Sequence, residues 1–110
     1  MPVRVVIRNQ QMEVFLREAV VDSLLRAHRA EAEGVGIEPY CERIEAALAR
    51  AAEQGFEAPA DQGRFAELCL RDEGFEASSW AQAILRWRRS PEEKLAALEA
   101  RAQRNALRGS

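Results

Sequence analysis

An all-α fold, a compact bundle of about five helices with a short extended N-terminal arm, follows from three observations. The composition favours helix, with 20 Ala, 15 Glu and 15 Arg among 110 residues and no Thr. Apolar residues recur at three- and four-residue spacing along most of the chain. Two Ser-led capping patterns and two Gly-Phe pairs punctuate those stretches where helices should begin and end. With 47% apolar and 31% charged residues, the chain has the make-up of one folded domain over residues 1–110, and its length leaves no room for a second.

Residues 1–8 contain Val3-Arg4-Val5-Val6-Ile7, a β-branched run that reads as an extended arm. From Gln10 to about Ala32, Met12, Phe15, Leu16, Ala19, Val20, Leu24 and Ala27 recur at helical spacing, with Val14, Val21 and Leu25 beside them. That pattern predicts a long amphipathic helix with a broad buried face, stopped by Gly34-Val35-Gly36. Pro39 then suits the first turn of a second helix, where a missing N–H costs nothing.

The second helix carries Tyr40, Cys41, Ile44, Ala47, Leu48, Ala51 and Ala52, and ends at Gln54-Gly55-Phe56. The third, from about Asp61 to Glu73, carries Phe65, Leu68 and Cys69, and ends at Gly74-Phe75. Both ends read Gly-Phe-Glu-Ala, which predicts a left-handed glycine and a phenylalanine folded back onto the helix just left. Ser79-Trp80-Ala81-Gln82 and Ser90-Pro91-Glu92-Glu93 fit the capping box. They predict a fourth helix from about Trp80 to Arg89 and a fifth over 90–110, leaving 9–89 as the helical core. The fifth shows only a thin apolar stripe, Leu95, Leu98, Ala102 and Ala106, and such a helix packs weakly or waits for a partner.

No stretch approaches the roughly 18 consecutive apolar residues of a membrane span, and the N-terminus lacks the apolar core of a secretory signal. A cytoplasmic protein with no membrane role is expected. Cys41 and Cys69 are too few and too far apart for a disulfide framework or a zinc cluster, and read as small core residues. The one histidine, His28, stands near no Ser or Cys in a nucleophile motif and reads as a charge at a helix end. Gly34-Val35-Gly36 lacks the third glycine and the preceding strand of a phosphate loop. Glu42 and Glu45 sit on a solvated acidic face. No enzyme, cofactor or metal site is therefore expected.

Charge is uneven although the net is only −2. Residues 1–30 carry +2, residues 31–76 carry −8 and residues 77–110 carry +4. Such a field biases the orientation and rate of protein encounters. In the basic end, Trp87 stands among Arg86, Arg88 and Arg89, and Trp80 lies seven residues earlier, on the same side of one helix. Trp and Arg dominate interface energetics, so Trp80, Trp87, Arg86, Arg88 and Arg89, with Leu95 and Leu98 of the thin helix, form the candidate partner-binding set. An aromatic among arginines also suits a nucleic-acid strand, but a pI near 5.5 argues against it. A protein partner is the stronger reading, and a homo-oligomer stays open.

Gln11 with Phe15, the run from Ile44 to Ala51, Gly55-Phe56, Phe65 with Leu68, Gly74-Phe75, Trp80-Ala81 and Ile84-Leu85 together resemble a known pattern. It is that of small helical proteins encoded beside type VI secretion spike, toxin and immunity genes in Gram-negative bacteria. The resemblance spans about residues 7–86. It implies an accessory role without catalysis, an adaptor binding an effector toxin or a spike component, with an immunity protein as the alternative and a small nucleic-acid-binding regulator as a second one. The family's first helix leads into His-Leu and then Phe-Pro, whereas here Ala27-His28-Arg29-Ala30 runs into Glu31-Ala32-Glu33. If that junction sets specificity, the partner differs.

Overall fold

The computed structural model describes the backbone of residues 2–109 and the side chains of residues 14–108. Among these residues there are six α-helices, one 3-10 turn and no strand. The helices are α1 (Pro2–Ala27), α2 (Arg29–Val35), α3 (Ile37–Glu53), α4 (Pro59–Arg71), α5 (Ser79–Leu85) and α6 (Pro91–Gly109), with the 3-10 turn at Phe75–Ala77. The chain divides into two compact units, residues 1–46 and 47–110, and the division falls within α3.

In the first unit, helix occupies the segment expected to form an extended arm, since α1 starts at Pro2. Proline is suited to a first helical turn, and the helix that follows propagates back through Val3–Ile7 more readily than it would be nucleated there. The long first helix is also interrupted. His28 (φ −115°, ψ 31°) leaves helical geometry and occupies the N-cap position of α2. The break costs little hydrogen bonding, because His28 N–H still reaches Leu24 O at 3.0 Å and Ala32 N–H reaches His28 O at 2.9 Å. Gly36 (φ 113°) then separates α2 from α3, and a side chain there would press on Pro39 Cδ at 3.3 Å.

The broad buried face expected of the first helix is not formed. Leu24 is buried and Val20, Val21 and Leu25 are half-buried, but Val14, Phe15 and Leu16 are exposed, Phe15 by 68%. The Met12 side chain lies outside the described residues. Among the described residues of this unit, Ala32, Tyr40 and Ile44 are the other buried apolar ones. Tyr40 OH donates to Glu31 Oε2 at 3.4 Å, and the Arg43 guanidinium stands 5.7 Å from the Tyr40 ring centre.

The second unit is organised by its aromatic rings. Phe56, Phe65, Phe75 and Trp80 form a row with successive centroid separations of 5.4, 5.4 and 6.1 Å, all tilted rather than stacked face to face. Tilted pairs at this spacing suit the ring quadrupoles and add to the burial of the rings themselves. The two Gly-Phe pairs supply two of the four rings, by different closures. After α3, Phe56 N–H reaches back to Ala51 O and Gly55 N–H to Ala52 O, at 3.1 and 3.0 Å, with Gly55 at φ 96°. This is the paired Schellman closure. After α4, Gly74 (φ 86°) leads Phe75 into the 3-10 turn, and Phe75 N–H bonds Asp72 O at 3.1 Å instead.

The caps differ in one place from the sequence reading. Ser78, not Ser79, caps α5, its Oγ accepting from Ala81 N–H at 3.3 Å, and Gln82 donates to the Glu76 carbonyl at 2.6 Å. Placing the cap one residue earlier frees Gln82 to tie α5 to the 3-10 turn. Ser90 caps α6 as expected, accepting from Glu93 N–H at 3.2 Å. Helix α6 packs against both α4 and α5, with Leu95 and Leu98 fully buried. The thin stripe is thus a satisfied one, and the weakly held helix expected from it is corrected. Arg64 of α4 reinforces the contact through two hydrogen bonds to Glu99, one from Nε at 3.2 Å, and one to Glu92 at 2.5 Å. Hydrogen bonds to Glu99 hold the Arg64 guanidinium more firmly protonated, outweighing the effect of its burial.

Replacing Gly55 by Ala should cost about 1–2 kcal/mol, because a side chain is strained at this left-handed position. Gly34→Ala should instead stabilise by about 0.5–1 kcal/mol, since Gly34 lies within α2 and nothing stands within 4 Å of an added Cβ. Urea denaturation of the two variants measures both signs.

Candidate partner-binding surface

Helix α5 ends at Leu85, short of the Arg89 expected, and Arg86 to Arg89 form the turn that joins it to α6. The turn is anchored at both ends. Arg86 N–H bonds Gln82 O and Trp87 N–H bonds Ile84 O, each at 3.1 Å. On the far side, Lys94 Nζ donates to the Leu85 carbonyl at 3.0 Å, covering an orphan acceptor at the end of α5. Four residues so held present their side chains from a short, defined backbone.

All four point outward. Arg86, Arg88 and Arg89 are exposed, and Trp87 is 46% exposed. Arg89 lies 3.8 Å from Glu93, a distance at which two exposed side chains interact weakly. Trp87, Arg88 and Arg89 line a shallow hollow of the surface. The result is an exposed indole flanked by guanidinium groups, able to cover an apolar side chain while the cations meet carboxylates.

The candidate set divides along this line. Trp87, Arg86, Arg88 and Arg89 come together on the surface. Trp80, placed beside Trp87 by the expectation of one continuous helix, instead continues the aromatic row through Phe75. Leu95 and Leu98 are in the core and present nothing to a partner. Their burial follows from α4 and α5 closing over the same narrow stripe, with Arg64 as a clasp.

Two features of the second unit have no local signature in the sequence. One is a cluster in which Arg50 Nε donates to Glu76 Oε1 at 2.6 Å and Cys69 Sγ donates to the same oxygen at 3.3 Å. Burial, then the hydrogen bond to Glu76, pushes the Cys69 thiol up to about 12. Burial works against the charge on Arg50, but its bonds to Glu76 and Cys69 outweigh it and raise its pKa. The other is a groove of about 690 Å³ between α4 and α6, with Leu68, Phe75 and Ala102 on its walls and Glu67, Arg71 and Asp72 at its rim. Residues 26 and 35 apart make the Arg50 and Arg64 links, which no periodicity reveals.

In the first unit His28 is half-buried, with Nδ1 3.8 Å from Glu31 Oε2 and its ring 6.4 Å from that of Tyr40. Among the described residues no three His, Cys, Asp or Glu side chains gather where they could hold a metal ion, and no helix is long and apolar enough to cross a membrane. No known protein family, curated protein or solved structure matches the chain.

The thiol titration is directly testable. Cys69 stays protonated in the folded chain while an unfolded thiol ionises near 9.0, so its contribution to stability is intact below pH 9 and is lost as pH rises from 9 towards 12. At pH 8 a thiol reagent should modify half-buried Cys41 and spare Cys69 until the chain is unfolded. The core and surface assignments are separable too: Trp87→Ala should move the thermal midpoint little, whereas Leu95→Ala should cost about 2–5 kcal/mol.

Proposed function

We propose that the chain is a protein-binding accessory protein without catalysis of its own, an adaptor that holds an effector or a spike component of a bacterial type VI secretion or toxin-export system. The observation that carries this reading is the turn at Arg86–Arg89, where Trp87 stays 46% exposed among three exposed arginines. A half-exposed Trp costs solvation in the free chain and returns it when a partner covers the ring. The setting comes from the resemblance over residues 7–86, whose Gly-Phe and Trp-Ala motifs supply Phe56, Phe75 and Trp80 of the aromatic row.

An immunity protein, which blocks its toxin rather than carrying it, is the second reading. It is favoured by the exposed acidic side chains Glu33, Glu38, Glu42, Glu45, Glu53 and Glu57, which suit a basic toxin. The two readings differ in what happens to the toxin's activity.

Capture from native cells with the tagged wild-type chain should recover a toxin or spike component, and Trp87→Ala should lower the recovery about tenfold or more. Reversing Arg88 and Arg89 to Glu should slow association at low salt and matter little at high salt. Equal recovery by the wild type and by all of these variants would sink the assignment of the turn. A toxin still active in the complex marks an adaptor, and one silenced marks an immunity protein.

A further inference from the structure

Past Glu99, helix α6 has no acidic residue, and its charges are those of Arg101, Arg104 and Arg108. Arg104 and Arg108 are exposed and Arg101 is half-buried, and none of the three pairs with a carboxylate among the described residues. The Arg101 Nε is buried without a hydrogen-bond partner among them, a donor left at a cost. Like charges three and four residues apart also repel along a helix. The helix dipole offsets this for Arg108, in the last turn, and not for Arg101 two turns earlier.

These cations continue a row that starts at the Arg86–Arg89 turn. Lys94, Arg101 and Arg108 follow at seven-residue steps, which return to nearly the same side of a helix, and Arg104 neighbours both Arg101 and Arg108. Lys94 fixes where that side begins, because its Nζ reaches the Leu85 carbonyl, one residue before Arg86. The carboxylates of α6 are engaged elsewhere: Glu92 and Glu99 are held by Arg64 of α4, and Glu93 stands 3.8 Å from Arg89. Helix α5, packed alongside, has no charged residue. From Lys94 to Arg108 the row is about 21 Å long.

A row of this length and sign fits an extended anion. An extended polypeptide spans it with about six or seven residues, and guanidinium forks hold carboxylates through paired hydrogen bonds. A nucleic-acid strand would bring a base with every phosphate, and such bases are bound by stacking on aromatic faces. The row offers none, since Trp87 in the turn is the one aromatic residue after Trp80.

We infer that Arg101, Arg104 and Arg108 receive an extended acidic segment of a protein partner, running on from the Arg86–Arg89 turn. The segment belongs to the partner that the turn contacts, so its place depends on that reading of the turn.

Fluorescence anisotropy on the full chain tests this with a labelled peptide of one leucine followed by seven glutamates. The peptide should bind at low salt and weaken as salt rises. Arg104→Gln with Arg108→Gln should weaken it several-fold, and adding Arg101→Gln should bring the loss to about tenfold or more. Glutamine forms helix about as well as arginine, so the double variant, changed only at exposed positions, should keep its circular dichroism and thermal midpoint. No binding of the peptide up to about 1 mM overturns the proposal. So does equal binding by the wild type and the triple variant, or tighter binding of an eight-nucleotide oligothymidylate. Trp87→Ala separates the row from the turn. Loss in the triple variant with none in Trp87→Ala supports the row and fails the reading of the turn, whereas loss in Trp87→Ala alone supports the turn and overturns the row.

Discussion

The row of rings from Phe56 through Phe65 and Phe75 to Trp80 is the constraint on which the second unit depends. Each ring comes from a different part of the chain: the turn after α3, the body of α4, the 3-10 turn and the first turn of α5. Gathering three buried rings and half-buried Trp80 requires those segments to arrive in one place, and truncating one of the buried rings to Ala typically costs about 3–5 kcal/mol. Positive φ at Gly55 and Gly74 is what lets two of these segments turn back in time. Around the row, Leu95 and Leu98 close α6 over the core and Arg64 fastens it from outside. The surface turn at Arg86–Arg89 follows a helix that is itself held in place, since α5 joins the row through Trp80 and packs against α6.

Much of this was legible in the sequence because its causes are local. The Gly-Phe pairs, Pro39 in a first turn, the cap at Ser90 and the extent of α6 all depend on neighbours a few residues away, and local pattern suffices for them. The misreadings have equally physical origins. Adjacent Ser78 and Ser79 offer the same cap chemistry, and the choice between them is made by Gln82 reaching the Glu76 carbonyl, a bond outside the helix. His28 breaks the first helix without glycine or proline, so nothing in the residue type marks the site.

The candidate site divides in the same way. Arg86, Trp87, Arg88 and Arg89 are consecutive, so their clustering was assured and only their exposure was in question. A narrow stripe on a charged helix reads as unfinished and so offers Leu95 and Leu98 to a partner, whereas two leucines suffice when α4 and α5 converge on them. The converse error lies in α1, whose apolar pattern announced a buried face that its own unit leaves open. A periodic pattern states that a face is to be covered and is silent on whether the cover lies in the same chain.

Fluorescence of Trp87 tests most directly whether the turn is the partner-contact surface. In a Trp80→Phe variant the only indole left is half-exposed, and it should emit far to the red and be quenched readily by acrylamide. Saturation with the captured partner should shift that emission to the blue and shield it from the quencher. A bound complex whose Trp87 emission and quenching match those of the free chain would contradict the account.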